Sequence, residues 1–259
     1  MSYKPTIYKL TEGQENYLEI INYFIKTWYE IEVKQDDFNL YDFDKLLGVK
    51  ISKKLNQFLN YLTCLNYTIV RGKKRMIYSS VEYLFPLQKL KIGYDENNRF
   101  LSLFQEGGQD FYYGIPQEFL LDENPLIYRL IKNKNYIGKE YEITRIEDCD
   151  LIEFLVSHIC RYACKIGVKS FSIFEEPTKT RNQIEEVCKL FNHKTVFGKV
   201  TIFERDNAIA SIEKFNGKYD MKDIFKVNCW SKEEKEFMKK VSDIFEWNGW
   251  SDNTSRYKL

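Results

Sequence analysis

The amino-acid sequence predicts an α+β fold, a single domain with a mixed or antiparallel sheet and flanking helices. Three observations carry that expectation. Apolar residues recur at spacings of three and four near 14–34, 42–62 and 150–165, which is the period of one helix face. Elsewhere the apolar runs are short and end in glycine or polar turns, which is strand and hairpin patterning. The helical and strand-like segments come in blocks, without the regular alternation of a βαβ fold.

In chain order, Leu18, Ile21, Ile25 and Trp28 share one face of a helix over 14–34. Leu46, Leu47, Leu55, Phe58, Leu59 and Leu62 continue the pattern. Gly48 interrupts it, so one helix ends near Leu47 and a second starts at Ser52, a suitable N-cap. Tyr67–Val70 and Met76–Ser79 flank the basic stretch Arg71, Gly72, Lys73, Lys74, Arg75 and read as a short hairpin. Phe100–Phe104 and Phe111–Ile115 flank Gly107 and Gly108, a second hairpin whose turn tolerates positive φ. Leu126–Leu130 follows Asn124–Pro125, which favours an extended approach.

A helix over 150–165 carries Leu151, Phe154, Leu155, His158, Ile159 and Tyr162 in one stripe, with Asp148 or Asp150 as N-cap and Gly167 as its stop. Val168–Phe174 is strand-like, and Thr178 is placed to cap a helix bearing Ile184, Val187, Cys188 and Phe191. Val196–Phe203 and Ala208–Phe215 read as strands joined by a hairpin loop of Glu204, Arg205, Asp206 and Asn207. Asn216–Gly217 marks the next turn and Ile224–Cys229 a further strand. Ser231 and Glu234 form a capping box before a helix with Phe237, Val241, Ile244 and Phe245 on one face. No repeat and no Pro- or Gly-rich linker divides the chain, which has 5 Pro and 12 Gly. The expected organisation is a helical extension over 1–40, a domain over 41–250 and a tail over 251–259.

Composition narrows the function classes. The 259 residues are 44% hydrophobic and 30% charged, which fits a globular chain that buries a sizeable core. Lys plus Arg number 39 and Asp plus Glu 38, so no overall basic field favours nucleic acid. The 19 Tyr, 19 Phe and 4 Trp are first of all core material, because large aromatics are mostly buried. No apolar stretch is long enough to cross a membrane, and the first residues lack a signal-peptide pattern. Six irregularly spaced cysteines in a chain of this length are expected as free thiols in a reduced cytoplasm.

Catalytic constellations are not evident. The two histidines, His158 and His193, lie near no nucleophile motif, His158 on a helix face and His193 at an expected helix end. Cys160 and Cys164 share a helix edge, but His158 points elsewhere and no C-x-x-C pair completes a tetrahedral set. Neither a metal nor a cofactor is expected. The neighbouring pairs Glu175–Glu176 and Glu185–Glu186 do not face each other on a helix, so they read as solvated surface. The Arg71–Arg75 loop reads as a solvated turn, with phosphate contact as the sharper alternative. Glu118, Asp122 and Glu123, followed by Glu140, Glu142, Glu147, Asp148, Asp150 and Glu153, make the middle of the chain acidic. Such a patch is either a solvated face or a surface complementary to a basic partner.

Several segments together resemble one family. Leu46–Leu59 is similar to a helix ending in Leu-Gly that leads into a second helix, with Ile51–Ser52 in place of Leu-Pro. Phe85–Pro86–Leu87 through Leu90 resembles a proline-leucine step before a sheet. Phe100–Phe104 and Glu106–Ile115 resemble a strand, turn and strand, with Tyr113 in place of Trp. Asp122–Glu123–Asn124–Pro125, then Ile127–Tyr128, resembles the step that follows, and Leu151–Tyr162 the helix after it. Phe197–Phe203, Ala208–Ile212 and Trp247–Trp250 are similar to the tail of longer members. The family is the SUKH superfamily of bacterial immunity proteins, related to yeast cell-wall assembly regulators.

That resemblance implies an α+β fold and a non-enzymatic protein that binds and neutralises a cognate toxin. The family's partner surface varies, so it supplies no binding residues, and Gly48, Pro86, Gly114 and Pro125 match it as structural positions. The expectation is a cytoplasmic monomer that occludes a protein toxin, with no nucleic acid and no membrane as partner. The candidate contacts are Gln109, Asp110, Tyr112, Tyr113, Glu118, Asp122 and Glu123 in and beside two loops. Rival readings are a regulatory or scaffolding protein that binds a host protein, a small carboxylate-dependent hydrolase, and a nucleic-acid module on the basic loop.

Overall fold

The computed structural model describes residues 3–12, 16–29, 40–71, 82–84, 99–106, 111–132, 141–166, 169–174, 180–197, 200–214, 223–229, 235–245 and 251–252. The α+β class holds, and all described strand pairs are antiparallel. The strands form two sheets rather than one, and the chain divides into two compact units, 31–155 and 1–30 with 156–259. A helix carries the chain through the boundary after residue 155, so no proline or glycine linker announces it.

The first unit, 31–155, begins with the short helix α1 (Phe43–Leu47) and the long helix α2 (Lys53–Arg71). Asp42 caps α1, and Gly48 ends it in the left-handed region at φ 69°, a conformation glycine adopts without penalty. Ser52 caps α2 by accepting the Leu55 N–H at 3.1 Å. Ser52→Ala is expected to cost about 1 kcal/mol in urea unfolding. The sequence placed a strand at Tyr67–Val70, but α2 runs through it, because extending an existing helix is far cheaper than starting a new element. The rest of that expected hairpin, including Met76–Ser79, lies outside the described residues.

A five-stranded meander follows in the order β1 (Glu82–Leu84), β2 (Phe100–Glu106), β3 (Phe111–Pro116), β4 (Leu126–Lys132) and β5 (Tyr141–Asp150). The predicted hairpin at 100–115 is β2 with β3, and its pairing shifts between Ser102 and Phe104. Strand β5 was not anticipated, since its acidic residues read as a solvated stretch; pairing with β4 from Lys132–Tyr141 to Leu126–Asp150 overrides that composition. Helix α3 (Leu151–Ile166) starts where β5 ends. Asp150 accepts the Glu153 N–H at 2.7 Å and Glu153 accepts the Asp150 N–H at 3.1 Å, a reciprocal capping box. Phe154 of this helix packs on Phe104 and Tyr113, each with ring centroids 5.2 Å apart.

The second unit holds a 3-10 turn (Ile7–Glu12), α4 (Tyr17–Tyr29), α5 (Thr180–Cys188) and α6 (Lys235–Ile244) around a six-stranded sheet. Its strands are β6 (Lys169–Phe174), β7 (His193–Phe197), β8 (Val200–Arg205), β9 (Ala208–Lys214), β10 (Asp223–Cys229) and β11 (Ser251–Asp252), in the order β11-β6-β10-β9-β8-β7. One face of the sheet, through Phe203, Ala208 and Ala210, packs on Ile184 and Val187 of α5 and Phe237, Met238 and Val241 of α6. The opposite face, by the alternation of strand side chains, carries Ile202, Glu204 and Ile209. There the N-terminal residues pack: Tyr3, Ile7, Ile21, Phe24 and Ile25 are buried, and the Tyr29 hydroxyl donates to the Ile159 carbonyl. Residues 3–12 and 16–29 are therefore built into this unit rather than forming a separate extension, because their apolar stripe needs cover.

The sequence joined 196–203 into one strand, whereas the chain forms β7 and β8 as a pair. Thr195 and Phe197 point inward while Lys194 and Val196 are exposed, a period of two that ends at the described end of β7. Glu204 and Arg205, expected in a loop, are the last residues of β8; the turn is only Asp206 and Asn207, the latter at φ 64°. His193, expected at a helix end, opens β7. Gly167, Thr178, Asn216–Gly217 and the Ser231–Glu234 box lie outside the described residues.

Candidate functional site

The β3–β4 connection is the best-defined candidate surface. It runs as a 3-10 turn (Gln117–Phe119) and a tight corner through Leu120–Pro125. Pro116 cannot donate a ladder hydrogen bond, which suits the strand's end. The Leu120 N–H donates to the Gln117 carbonyl at 3.2 Å, and the Asp122 N–H to the Phe119 carbonyl at 3.1 Å. The corner is fixed from outside as well. Gln117 N–H donates to the Arg99 carbonyl at 2.8 Å, and Ser52 N–H to the Leu120 carbonyl at 2.8 Å. At the far end the Asn124 side chain donates to Asp150, and the Phe119 and Tyr128 rings stack at 5.5 Å. On this frame Glu118, Asp122 and Glu123 are exposed. Between them Leu121 is 65% exposed while Leu120 is buried, because adjacent residues of a corner cannot both face the core. The sequence reading missed Leu121; the Leu120–Leu121 pair at a turn was the available signal.

The other expected contacts are placed differently. Gln109 and Asp110 lie outside the described residues, as do Gly107 and Gly108. Tyr112 and Tyr113 are half-buried on β3, opposite Leu130 and Arg129 of β4, and they point to opposite sides of the sheet. Tyr113 is engaged with Phe154, so its ring belongs to the packing beneath α3.

Asp150 and Glu153 have visible structural work. Burial raises the pKa of Glu153 above the usual carboxylate range, opposed by the Asp150 N–H and reinforced by the Asp150 charge. Both carboxylates cap α3, so this pair is occupied in holding a helix start. Glu185 and Glu186 are exposed on α5, and Glu175–Glu176 lie outside the described residues. Burial pushes the thiols of Cys149 and Cys188 up to about 12, so neither is a thiolate nucleophile at neutral pH. Cys149 and Cys188 are free thiols. Among the described residues no group of three or more His, Cys, Asp or Glu is placed to hold a metal, and no helix is long and apolar enough to cross a membrane. The Gly72–Arg75 part of the basic loop lies outside the described residues.

A second cluster, unforeseen from the sequence, surrounds Glu204. This carboxylate is fully buried and accepts the Tyr3 hydroxyl, the N–H groups of Thr6 and Ile7 at 3.1 Å each, and the Tyr8 N–H at 2.8 Å. The Tyr8 ring stacks on His193 with centroids 3.8 Å apart. A run of Glu-Arg-Asp-Asn reads as a turn, and nothing in it signals that its first residue faces inward. Comparison with protein-family models, with curated proteins and with solved structures finds no match to this chain.

Proposed function

We propose that this chain is a non-catalytic, cytoplasmic, monomeric immunity protein that neutralises a cognate toxin domain by covering it. The observation that carries the reading is the Glu118–Glu123 corner: three exposed carboxylates around an exposed leucine, on a loop braced from both sides. A loop already held in one shape loses little entropy on binding, which favours tight association. Exposed acids steer a basic partner and set register, and Leu121 supplies an apolar anchor at their centre. The resemblance supports the same reading; its helix pair, strand pair and Asp-Glu-Asn-Pro step fall within the 31–155 unit, and its tail segments within the other.

The test is capture of the tagged protein's partner from its own cells, followed by inhibition of the purified partner's toxic activity at one-to-one stoichiometry. Changing Glu118, Asp122 and Glu123 together to lysine is expected to weaken that complex at least about tenfold, mainly through slower association, with the melting temperature nearly unchanged. A partner that is a housekeeping protein would establish the regulator reading instead. Undiminished affinity in the triple variant would remove this corner from the interface.

A further inference from the structure

The geometry points to a latch: Glu204 clamps the N-terminal strap Tyr3–Tyr8 onto the second unit's sheet, and acidification tightens the clamp. The strap's 3-10 turn is short, and the backbone N–H groups at the start of that turn need an acceptor. One side chain supplies it. Oε1 of Glu204 takes the Tyr3 hydroxyl and the Thr6 and Ile7 N–H groups, and Oε2 takes the Tyr8 N–H. The Asn207 N–H adds a bond to the Tyr3 carbonyl at 3.2 Å, so the β8–β9 turn grips the same stretch. Tyr3 in turn seats against Phe24 and Trp28 of α4, with centroids 5.9 and 5.1 Å away.

All four donors to the carboxylate are neutral. The titratable groups around it are Tyr3, Lys4, Tyr8 and Lys9 on the strap, His193 on β7 as its register partner, and Tyr23 on α4, whose hydroxyl accepts the Lys4 N–H at 3.3 Å. The partner on β9 is Ile209. The hydroxyls of Thr6, Thr195 and Ser211 are buried without a hydrogen-bond partner, and Thr195 and Ser211 flank Ile202, two residues from Glu204 along the same sheet face. Burial raises the Glu204 carboxyl to about 6, against the pull of the Ile7, Tyr8 and Thr6 N–H groups. With the strap lifted, the carboxyl meets water and returns towards its ordinary value of 4.5. Between those values the latched form holds a proton that the open form has released. The latch therefore strengthens as pH falls through about 6 and weakens as pH rises through it. The full window is worth about 30-fold in the closed-to-open ratio.

The test is hydrogen exchange at the Thr6, Ile7 and Tyr8 amides of the full chain. It runs from about pH 7.5 to about pH 4.5, corrected for intrinsic rates and referred to the Ala210 amide, to span both carboxyl values. Protection of the strap is expected to rise by about 15-fold over that range, to lose that slope in Glu204→Gln, and to keep it in His193→Phe. Tyr3→Phe removes one donor from the charged carboxylate and moves the midpoint upward; this arm stands even if Glu204→Gln does not fold. Flat or falling protection in the natural sequence, or a slope that vanishes with His193, overturns the proposal.

Discussion

Replacing Glu204 with alanine is expected to destabilise the second unit by on the order of 3–5 kcal/mol in urea unfolding. The substitution removes the acceptor for four donors at once and leaves a void where the carboxylate stood. Each buried donor without a partner costs about 1–3 kcal/mol, and water entering the void recovers part of it. Glu204→Gln is expected to lose less, about 1–3 kcal/mol, because the amide oxygen keeps the cluster at Oε1 while its NH2 meets the Tyr8 N–H. The pH dependence separates this from a simple packing defect. The folded carboxyl is raised, so its burial is a liability above pH 6 that is relieved as pH falls towards 4.5, by about 2 kcal/mol. Either variant is expected to lose that gain on acidification. An alanine variant as stable as the natural protein would mean the strap contributes nothing to the unit.

Gly114→Ala is the second large effect, expected to cost roughly 3 kcal/mol or more and to lower the melting temperature of the first unit accordingly. A Cβ at this position would stand 1.9 Å from the Leu101 carbonyl oxygen and 2.9 Å from Cε1 of Phe100. The nearer obstacle is backbone, fixed by the β2–β3 pairing, so relief requires the strands to part. The close approach arises where the β2–β3 register shifts between Ser102 and Phe104. Gly48→Ala is the matched control. Its φ is 69° but nothing lies within 4 Å of a Cβ there, so only backbone strain of about 1 kcal/mol is expected. Equal losses for both variants would show that crowding at Gly114 is relieved elsewhere.

The elements legible in the sequence are those whose signal is local. Gly48 and Ser52 marked their helix boundary because capping chemistry is carried by the residues themselves. The glycine pair at 107–108 marked a hairpin for the same reason. Strand β5 was illegible because its identity comes from pairing with β4, and acidic composition argued the other way. The two-unit division was hidden because its second boundary falls inside a regular helix. In the candidate site, the charges of Glu118, Asp122 and Glu123 were visible, but the exposure of Leu121 depends on which neighbour the corner turns inward. Glu204 was hidden more deeply, since its partners lie nearly two hundred residues away.

That separation matters while the chain is being made. Tyr3 and Glu204 are 201 positions apart, and a ribosome adding about 5–20 residues per second needs on the order of 10–40 s to span them. The 31–155 unit is contiguous and can close early, whereas the unit that joins 1–30 to 156–259 waits for the later strands. During that interval the apolar side of α4, with Ile21, Phe24, Ile25 and Trp28, has no sheet to cover it. Newborn chains are thus exposed to self-association through α4, and a holdase chaperone that shields it would raise the yield of folded protein.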